Sequence, residues 1–522
     1  MKRHTWFIWY ALACFAIFTR LYGLGWGLPF LFHPDERNMS LAASSLSFST
    51  LLDPYFYAYN QFSLYIVFFL NLITGVPLTV LRATILLRSL SAVASIGSVY
   101  LWFRLLKKER VNSSIRIIGV LIFICTPVFI QLSHFGTTES ILIFFFLLCL
   151  VYIRNPVIVG IAIGLSIATK VSAVQLFALP VIYMILNVYK KKISLLNTVH
   201  YLLYVVFISF IFSIAFSPHI ILSYQKTLSA LHYESAVGMG TLLVFYTQEF
   251  IGTYGALFQI VSIFPYALGL PLTILSAIGL VYALFKKPLY AAYFVILFFP
   301  NAFIFAKWTR FMIYPYILLE LLAIYAIQKM YTVRSFKLLL GLLVFYQLLI
   351  GLSYLKIYSF PDVRVQATQW INRHIPSGST ILTEGANVTD LPLYSSNQYR
   401  ITSLFLYDIE NDTAVQSQLS QAIQTSDYIV LPSRRVFANT TCLLQKKKTL
   451  WKDCSILQEK NTILTTYYTD LFAEKKFKLV ATFTAYPRIE FAGKTIFSIP
   501  DEHAEETWTV FDHPVVRIYK KR

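Results

Sequence analysis

The sequence predicts a polytopic α-helical membrane protein, with about eleven transmembrane helices followed by a C-terminal α/β domain outside the cytoplasm. Of its 522 residues, 57% are hydrophobic and only 13% are charged. Soluble globular proteins carry about 25% charged residues, so this composition is typical of a membrane protein. Residues 1–355 contain 24 Lys or Arg and 8 Asp or Glu, against 20 and 17 in residues 356–522. We therefore predict a transmembrane domain over residues 1–355 and a soluble domain over residues 356–522.

Transmembrane helices are predicted wherever about 20 mainly apolar residues follow one another, because that length crosses a bilayer. The first stretch lacks a small-residue cleavage site after it, so we expect a retained span and not a signal peptide. The run "FSLYIVFFLNLITGV" (62–76) is predicted to lie at the membrane surface or to re-enter, since a crossing there would scatter the basic clusters over both sides. The predicted spans are residues 5–22, 84–106, 114–132, 138–153, 157–172, 174–189, 198–217, 263–286, 289–306, 309–328 and 336–355.

The basic residues assign the two sides of the membrane. With eleven spans, the clusters at 107–110, 190–192, 286–287 and 329–337 all share the side of Lys2 and Arg3. Loops rich in Lys and Arg are typical of the cytoplasmic face, which explains the basic charge without a nucleic-acid partner. We therefore predict a cell (plasma) membrane protein with a cytoplasmic N-terminus. The first loop (23–83), the loops around 133–137 and 218–262, and the C-terminal domain are predicted to lie outside, with a second surface helix over 245–261.

Carboxylates concentrate near the predicted external face. In "LFHPDERN" (31–38), Pro34 favours a helix start, which places Asp35 and Glu36 in a first turn. An acidic helix start at a membrane surface is one interpretation, and catalysis is the other. Arg37 is expected to keep Asp35 ionised. Glu139 in "SHFGTTES" (133–140) is either an N-terminal helix residue or a second site acid, with His134 nearby.

Three cations break the usual distribution of charge. Lys170, Lys307 and Arg310 lie at the predicted external ends of spans. Charged residues at membrane depth usually face a cavity or a partner, although a long side chain can also reach the headgroups. External carboxylates opposite external cations predict a site that binds an anionic lipid headgroup and carries out acid–base chemistry beside it.

Several sequence blocks resemble a known class of enzymes. "HPDE" (33–36), "LSIATK" (165–170) and "RFMIYPYILLELLA" (310–323) are similar to blocks of the GT-C class of lipid-carrier-dependent glycosyltransferases. This class includes the protein O-mannosyltransferases and the aminoarabinose transferase of lipid A. The stretches at 467–487 and 508–521 resemble the external domain of bacterial members. The resemblance implies a GT-C type membrane fold, a polyprenyl-phosphate sugar donor, inversion, and a catalytic carboxylate in the first external loop, at Asp35.

The chemistry of such a transfer assigns expected roles. A base must take the proton of the acceptor hydroxyl, and one carboxylate suffices for an inverting reaction. Cations must neutralise the departing phosphate. No Asp-x-Asp pair is present, so a divalent cation such as Mg²⁺ or Mn²⁺ stays open, as does a lipid, glycan or protein acceptor. The predicted catalytic residues are Asp35, Glu36 and Glu139, and the predicted substrate-binding residues are His33, Arg37, His134, Lys170, Lys307 and Arg310.

Three other functions remain as alternatives to this one. A transporter or lipid flippase would favour internal repeats and mid-bilayer charges, which the sequence does not display. A non-catalytic scaffold leaves the external charges unexplained, and a glycan polymerase is a related enzymatic alternative. In the C-terminal domain, Cys442 and Cys454 are either free or joined in a disulfide. Asp512–His513–Pro514 is predicted to be a turn between two strands.

Overall fold

The computed structural model describes residues 3–359, 361–385, 390–393, 398–444 and 448–522. Helices form the chain as far as residue 358, and the strands of the described chain follow it. The helices of the first part are α1 (Arg3–Leu21), α2 (Pro34–Ser44), α3 (Phe62–Leu72), α4 (Val80–Lys108), α5 (Ser113–Cys125), α6 (Pro127–His134), α7 (Glu139–Tyr152), α8 (Pro156–Thr169), α9 (Ala178–Tyr189), α10 (Leu195–Phe216), α11 (His219–Leu222), α12 (Tyr224–Met239), α13 (Phe264–Ala267), α14 (Leu270–Lys286), α15 (Pro288–Phe303), α16 (Ile313–Met330) and α17 (Arg334–Leu355). Short 3₁₀ helices cover Phe48–Thr50, Val171–Phe177, Phe245–Phe250, Thr309–Met312 and Lys356–Tyr358, and a π-helix covers Gln259–Ile263.

These helices form a multi-pass membrane protein. Among the described residues, five helices are long and apolar enough to cross a membrane, or seven if each of two bent pairs is one span. The bent pairs are α5–α6, at 48°, and Gln259–Ala267 with α14, at 116°. Shorter apolar helices fill the remaining predicted spans, so a helix is found in each of them, while the number that crosses stays a prediction.

The two predicted surface segments differ in outcome. Helix α3 has only 11 residues, which is about 16 Å at 1.5 Å per residue and too short to cross a bilayer. The segment 245–261 was expected to be one surface helix, but it consists of the 3₁₀ helix Phe245–Phe250, a turn and the beginning of the bent pair. Gly252 breaks it: the residue has a φ of 74°, and its Cα lies against the Asp453 backbone of the C-terminal domain.

The C-terminal domain is an α/β fold, as predicted. A five-stranded sheet has the order β2-β1-β3-β7-β4, in which β1 is parallel to β2 and β3, and β7 is antiparallel to β3 and β4. Buried apolar side chains cover both faces of this sheet as two separate clusters. The elements are α18 (Val363–His374), β1 (Thr380–Glu384), β2 (Arg400–Leu404), α19 (Thr413–Thr425), β3 (Tyr428–Leu431), α20 (Arg435–Thr440), α21 (Ser455–Lys460), α22 (Thr462–Phe472), β4 (Phe477–Phe483), β5 (Arg488–Phe491), β6 (Lys494–Ser498), α23 (Glu506–Val510) and β7 (Val516–Lys521).

A buried network of charged side chains joins this domain to the membrane part. His513 contacts two carboxylates, with its Nδ1 at 2.6 Å from Asp512 and its Nε2 at 2.9 Å from Asp501. Tyr358 donates a hydrogen bond of 2.9 Å to Asp512, and Gln131 of α6 donates to the Trp508 carbonyl at 2.8 Å. The expected turn at Asp512–His513–Pro514 is present before β7, but it follows helix α23 and not a strand, and it holds the centre of an interdomain ion network.

Cys442 and Cys454 form a disulfide, which settles an alternative that the sequence left open. The other cysteines, Cys14, Cys125 and Cys149, are free. We expect a denatured, unreduced sample to react with three equivalents of a thiol reagent, and a reduced sample with five. Intact-mass measurement after alkylation checks this count. Five reactive thiols without reductant would contradict the disulfide.

Candidate active site

The motif "HPDE" forms the beginning of helix α2. His33 is the N-cap, and its Nδ1 accepts a 3.4 Å hydrogen bond from the Glu36 amide. Pro34 occupies the first helical position, where the missing N–H costs nothing and the fixed φ suits the helix. As predicted, Asp35 and Glu36 lie in the first turn. Their side chains leave this turn in different directions and meet different partners.

Asp35 is paired with a cation that lies far from it in the sequence, near the end of the membrane part. Its carboxylate contacts the Arg310 guanidinium, and its Oδ2 also accepts a 2.8 Å hydrogen bond from the Tyr59 hydroxyl. Both side chains of the ion pair keep some exposure, 23% for Asp35 and 28% for Arg310. Burial alone would raise the pKa of Asp35, but Arg310, with smaller contributions from His33 and Tyr59, holds this pKa far below its usual range. Asp35 is therefore an ionised carboxylate that a ligand can reach.

A second ion pair lies beside the first. Lys170, at the end of α8, is 3.6 Å from the carboxylate of Glu139, at the beginning of α7. The Lys170 ammonium also lies over the ring of Tyr59, 4.8 Å from its centre. Tyr59 thus contacts both ion pairs and joins them. We call Asp35, Tyr59, Glu139, Lys170 and Arg310 the ion-pair cluster.

The ion-pair cluster collects the ends of several apolar helices on one side of the membrane part. It includes the beginning of α7, the end of α8 and the beginning of the segment Thr309–Met330, which passes the length and hydropathy criteria for a span. This is the common side that the alternation of spans predicts for Glu139, Lys170 and Arg310. The Nε of Arg310 is buried and has no hydrogen-bond partner within the described chain. A buried donor without a partner costs free energy, and an anionic ligand of this cluster would satisfy it.

One residue of the cluster and one beside it were not predicted as site residues. Tyr59 is one of 35 tyrosines and carries no local signal in the sequence. Glu234, on α12, is exposed and close enough that Arg310 and Asp35 act on it electrostatically. Its position in a predicted external loop with few carboxylates was the available signal.

Glu36 is enclosed, unlike its neighbour Asp35. Arg88 of α4 makes a two-point contact with Glu36, and neither side chain has any exposure. Arg88 also donates to the carbonyls of Leu24 at 2.7 Å and Trp26 at 2.8 Å. The Gly136 amide donates to Glu36 at 3.3 Å, and a Cβ at Gly136 would come within 2.9 Å of the carboxylate. Glu36 was predicted as catalytic. Its enclosed ion pair with Arg88 favours a role in fixing α2, and we propose that it positions Asp35 in this way.

Removal of the Arg88 guanidinium is a test of this role. In Arg88→Gln, we expect a loss of about 3–5 kcal/mol of stability, because the Glu36 charge stays buried without its partner. The double variant Glu36→Gln/Arg88→Gln should regain part of that loss. Thermal unfolding followed through the reactivity of the buried Cys125 and Cys149 measures both. If the double variant lost as much stability as the two single variants lose in sum, Glu36 and Arg88 would not be directly coupled.

The other predicted binding residues lie apart from the cluster or at its edge. His134 is fully buried and stacks on Tyr358 at 3.8 Å, and its ring nitrogens lie 2.7 Å from the carbonyls of Ile130 and Tyr22. It therefore packs the protein interior. Lys307 is buried and donates to the Phe305 carbonyl at 2.9 Å. Arg37 is half-buried in α2, and the cation that pairs with Asp35 is Arg310 and not Arg37.

The divalent cation that the sequence left open finds no clear site among the described residues. Within the described residues, one group of three potential metal ligands is close enough to share an ion: Glu249, Glu505 and Glu506. Glu506 is already paired with Arg435 at 2.8 Å, and Glu249 accepts the Glu506 amide at 3.0 Å. Glu505 accepts the Thr309 hydroxyl at 2.6 Å. These carboxylates hold the C-terminal domain on the membrane part, and they fit a metal poorly because their oxygens already have partners.

The C-terminal domain touches both partners of the ion pair through their neighbours in sequence. Glu505 accepts hydrogen bonds from the amide and hydroxyl of Thr309, which directly precedes Arg310. His33, at the cap of α2, packs between Phe135 and Phe511, with ring centres 4.6 and 4.5 Å away. The domain therefore sets the position of Arg310 from one side and that of Asp35 from the other.

The fold is similar to several solved structures. One is the protein O-mannosyltransferase Pmt1–Pmt2 complex of S. cerevisiae bound to the sugar donor, at 15% identity and a TM-score of 0.35, over 44% of this chain and 34% of that chain. Another is ArnT from Cupriavidus metallidurans bound to undecaprenyl phosphate, at 12% identity and a TM-score of 0.46, over 84% and 94% of the two chains. A third is the oligosaccharyltransferase of Archaeoglobus fulgidus tethered with an acceptor peptide, at 11% identity and a TM-score of 0.46, over 100% and 89%.

All three are GT-C enzymes, the class that the sequence blocks also resemble. This chain covers only 34% of the length of the yeast chain it matches. No protein-family model matches the sequence, and no curated protein sequence matches it. At identities of 15% or less and TM-scores below 0.5, the similarity carries no conclusion about activity, so the chemistry rests on the residues of the ion-pair cluster.

Proposed function

We propose that this protein is an integral-membrane glycosyltransferase that transfers a sugar from a polyprenyl-phosphate-linked donor to an acceptor hydroxyl, with Asp35 as the general base. The observation that carries the proposal is the reachable Asp35–Arg310 ion pair at the ends of apolar helices, with Tyr59, Glu139 and Lys170 around it. The resemblance of "HPDE" to the first external loop of GT-C enzymes supports the same assignment.

The cations suit the leaving group of this reaction. Bond breakage at the anomeric carbon leaves negative charge on a phosphate oxygen, and a guanidinium can bind such an oxygen through two donors. Arg310 has a buried Nε without a described partner and an Nη1 that points at Asp35. Lys170 adds a second positive charge on the same side. The apolar helices beneath the cluster suit a lipid-linked donor, whose phosphate stays at the membrane surface.

The base must be strengthened before it can act. A carboxylate held by Arg310 has a low pKa and is therefore a weak base. When a donor phosphate competes for Arg310, Asp35 loses part of its counter-charge, and its pKa rises toward the ordinary value. Donor binding thus activates the base that receives the acceptor proton. Direct attack by the acceptor on the anomeric carbon then inverts the configuration, and it requires only this one carboxylate.

The donor class can be tested with the purified protein in lipid nanodiscs. Radiolabelled hexose is offered as a polyprenyl phosphate, as a polyprenyl pyrophosphate and as a nucleotide sugar, each with lipid, glycan and peptide acceptors. We expect transfer from the polyprenyl phosphate, with no change on addition of EDTA. Protein reconstituted in sealed vesicles, with donor on one side only, reports whether the site faces the side of the C-terminal domain, as the predicted topology requires.

Transfer from the nucleotide sugar alone would overturn the proposed donor. Movement of a labelled lipid across the vesicle membrane, without release of sugar from any donor, would favour the transporter or flippase. Loss of transfer with EDTA would show that a divalent cation takes part in the reaction.

A further inference from the structure

Strands β5 and β6 form a hairpin that stands apart from the five-stranded sheet. They pair antiparallel, with Arg488 opposite Ser498 and Phe491 opposite Lys494. The two turn residues, Ala492 and Gly493, have φ angles of 49° and 75°, as in the tight turns that suit hairpins. An isolated two-stranded hairpin is only marginally stable in water. Strand β5 packs against α17, which gives the hairpin one supporting surface.

The hairpin carries both charged and apolar side chains. Arg488 and Glu490 alternate with Ile489 and Phe491 along β5. Lys494 lies opposite Phe491, and a shift of register between Ile489 and Glu490 makes Ile496 of β6 the extra residue of a bulge. The apolar tip is open to its surroundings: Phe491 is 74% exposed, and Ile496 on the second strand is 68% exposed.

The hairpin lies at the end of the lipid-facing stripe of α17. Along this helix, Leu338, Leu342 and Phe345 are 74%, 60% and 59% exposed, and Leu352 is also exposed. Spacings of three and four residues place them on one face of the helix. Lys356 follows Leu352 by four residues, and its ammonium is 3.1 Å from Glu490 of β5. The hairpin is thus attached where the lipid-facing surface of the last apolar helix reaches the side of the C-terminal domain.

A cavity of about 260 Å³ opens at the base of the hairpin. Its walls include two cations, Lys356 and Arg488, and three uncharged polar side chains, Ser359, Gln366 and Tyr486. Both cations contact a single carboxylate, that of Glu490, at 3.1 and 2.7 Å. A second carboxylate, Glu502, accepts from the Tyr486 hydroxyl but is paired with Arg517. The two cations therefore share the one carboxylate of Glu490, and the cavity keeps a net positive charge. A phosphate group has the matching charge and acceptor oxygens.

We propose that the β5–β6 hairpin is a membrane anchor of the C-terminal domain, and that the cavity at its base binds the phosphate of a phospholipid. Phe491 and Ile496 enter the boundary between headgroups and acyl chains, where apolar and aromatic side chains bind. The bilayer is the proposed binding partner of the tip, because the hairpin continues the exposed apolar stripe of α17. This proposal is independent of the glycosyltransferase activity.

Fluorescence quenching tests the anchor directly. In a Cys14→Ser background, Phe491→Cys is labelled with nitrobenzoxadiazole, and the protein is placed in nanodiscs that contain lipids with a nitroxide in the acyl chain. The control is Phe405→Cys, at a similarly exposed phenylalanine (61%) just after β2. Strand β2 is the edge strand opposite β4, and β4 directly precedes the hairpin. We expect the nitroxide lipids to reduce the fluorescence at position 491 and to leave that at position 405 unchanged. Equal fluorescence at position 491 with and without nitroxide would overturn the anchor.

The phosphate site is tested with the same protein in a second measurement. Native mass spectrometry of protein taken from nanodiscs of equal phosphatidylglycerol and phosphatidylcholine counts the lipids that stay bound. The double variant Lys356→Gln/Arg488→Gln is expected to lose a retained phosphatidylglycerol. The control Lys475→Gln/Lys478→Gln, which changes two exposed lysines that do not line the cavity, is expected to keep it. An unchanged lipid count in the first variant would overturn the phosphate site and leave the quenching result to decide on the hairpin.

Discussion

Asp35→Asn is expected to lower the turnover number for sugar transfer by about 10²–10⁴-fold, which is the usual contribution of a general base. The amide keeps the shape of the side chain and its place in the first turn of α2, but it cannot accept the hydroxyl proton. The initial rate with a polyprenyl-phosphate hexose at saturating acceptor measures the change. A matched control is Asp53→Asn, because Asp53 lies in the same loop and accepts a 2.6 Å hydrogen bond from Tyr57, apart from the cluster.

The pH profile separates a base from a structural carboxylate. In the free protein, Arg310 keeps the pKa of Asp35 far below its usual range, so kcat/KM should stay level down to acidic pH. In the donor complex, Arg310 turns toward phosphate, and the acid limb of kcat should lie at higher pH. Arg310→Gln should move the acid limb of kcat/KM upward as well. Equal turnover of Asp35→Asn and wild type would remove Asp35 from the chemistry and direct attention to Glu139.

His513→Gln is expected to cost about 3–5 kcal/mol of stability, because it leaves two buried carboxylates facing each other without a cation. Burial by itself would lower the pKa of His513, but Asp512 and Asp501 together raise it to about 10. The folded protein therefore binds a proton more tightly than the unfolded chain does. The resulting stabilisation is complete below the unfolded pKa of about 6.5 and disappears as the pH rises through 10.

Thermal unfolding in nanodiscs between pH 6 and pH 10 measures this effect. The wild-type midpoint should fall over that interval, and His513→Gln should lack this part of the decline. His374→Gln serves as the control, since His374 is an exposed histidine of α18 in the same domain. Identical pH slopes for wild type and His513→Gln would contradict a buried imidazolium.

Much of the fold followed from the sequence because its signals are local. Hydropathy placed a helix in each predicted span, and Pro34 placed the beginning of α2. The predicted alternation of spans placed Glu139, Lys170 and Arg310 at one end of the helices. In the structure they lie together, because helix ends at the same membrane surface lie at the same depth. The roles of these residues remain predictions until the variants are measured.

The pairing of charges could not be obtained in this way. Arg88 lies within the apolar pattern of α4, and nothing local indicates that it contacts Glu36, 52 positions earlier. Arg37, next to Asp35 in sequence, was expected to keep Asp35 ionised, whereas the cation that pairs with Asp35 is Arg310, 275 positions away. Similarly, His513 resembled part of a surface turn, although it is fully buried between two carboxylates. Which of several charges meet is decided by tertiary packing, and a single sequence does not record it.

The contacts of Glu505 with Thr309 and of Phe511 with His33 limit how such a protein can diversify. In a modular enzyme, recombination can exchange a whole domain while the catalytic centre keeps its shape. Here a chimera with a foreign C-terminal domain would have to supply equivalents of both contacts, or the partners of the Asp35–Arg310 pair would shift. For the proposed transferase, new acceptor preferences would therefore arise by gradual co-adaptation of the two parts and not by exchange of whole domains.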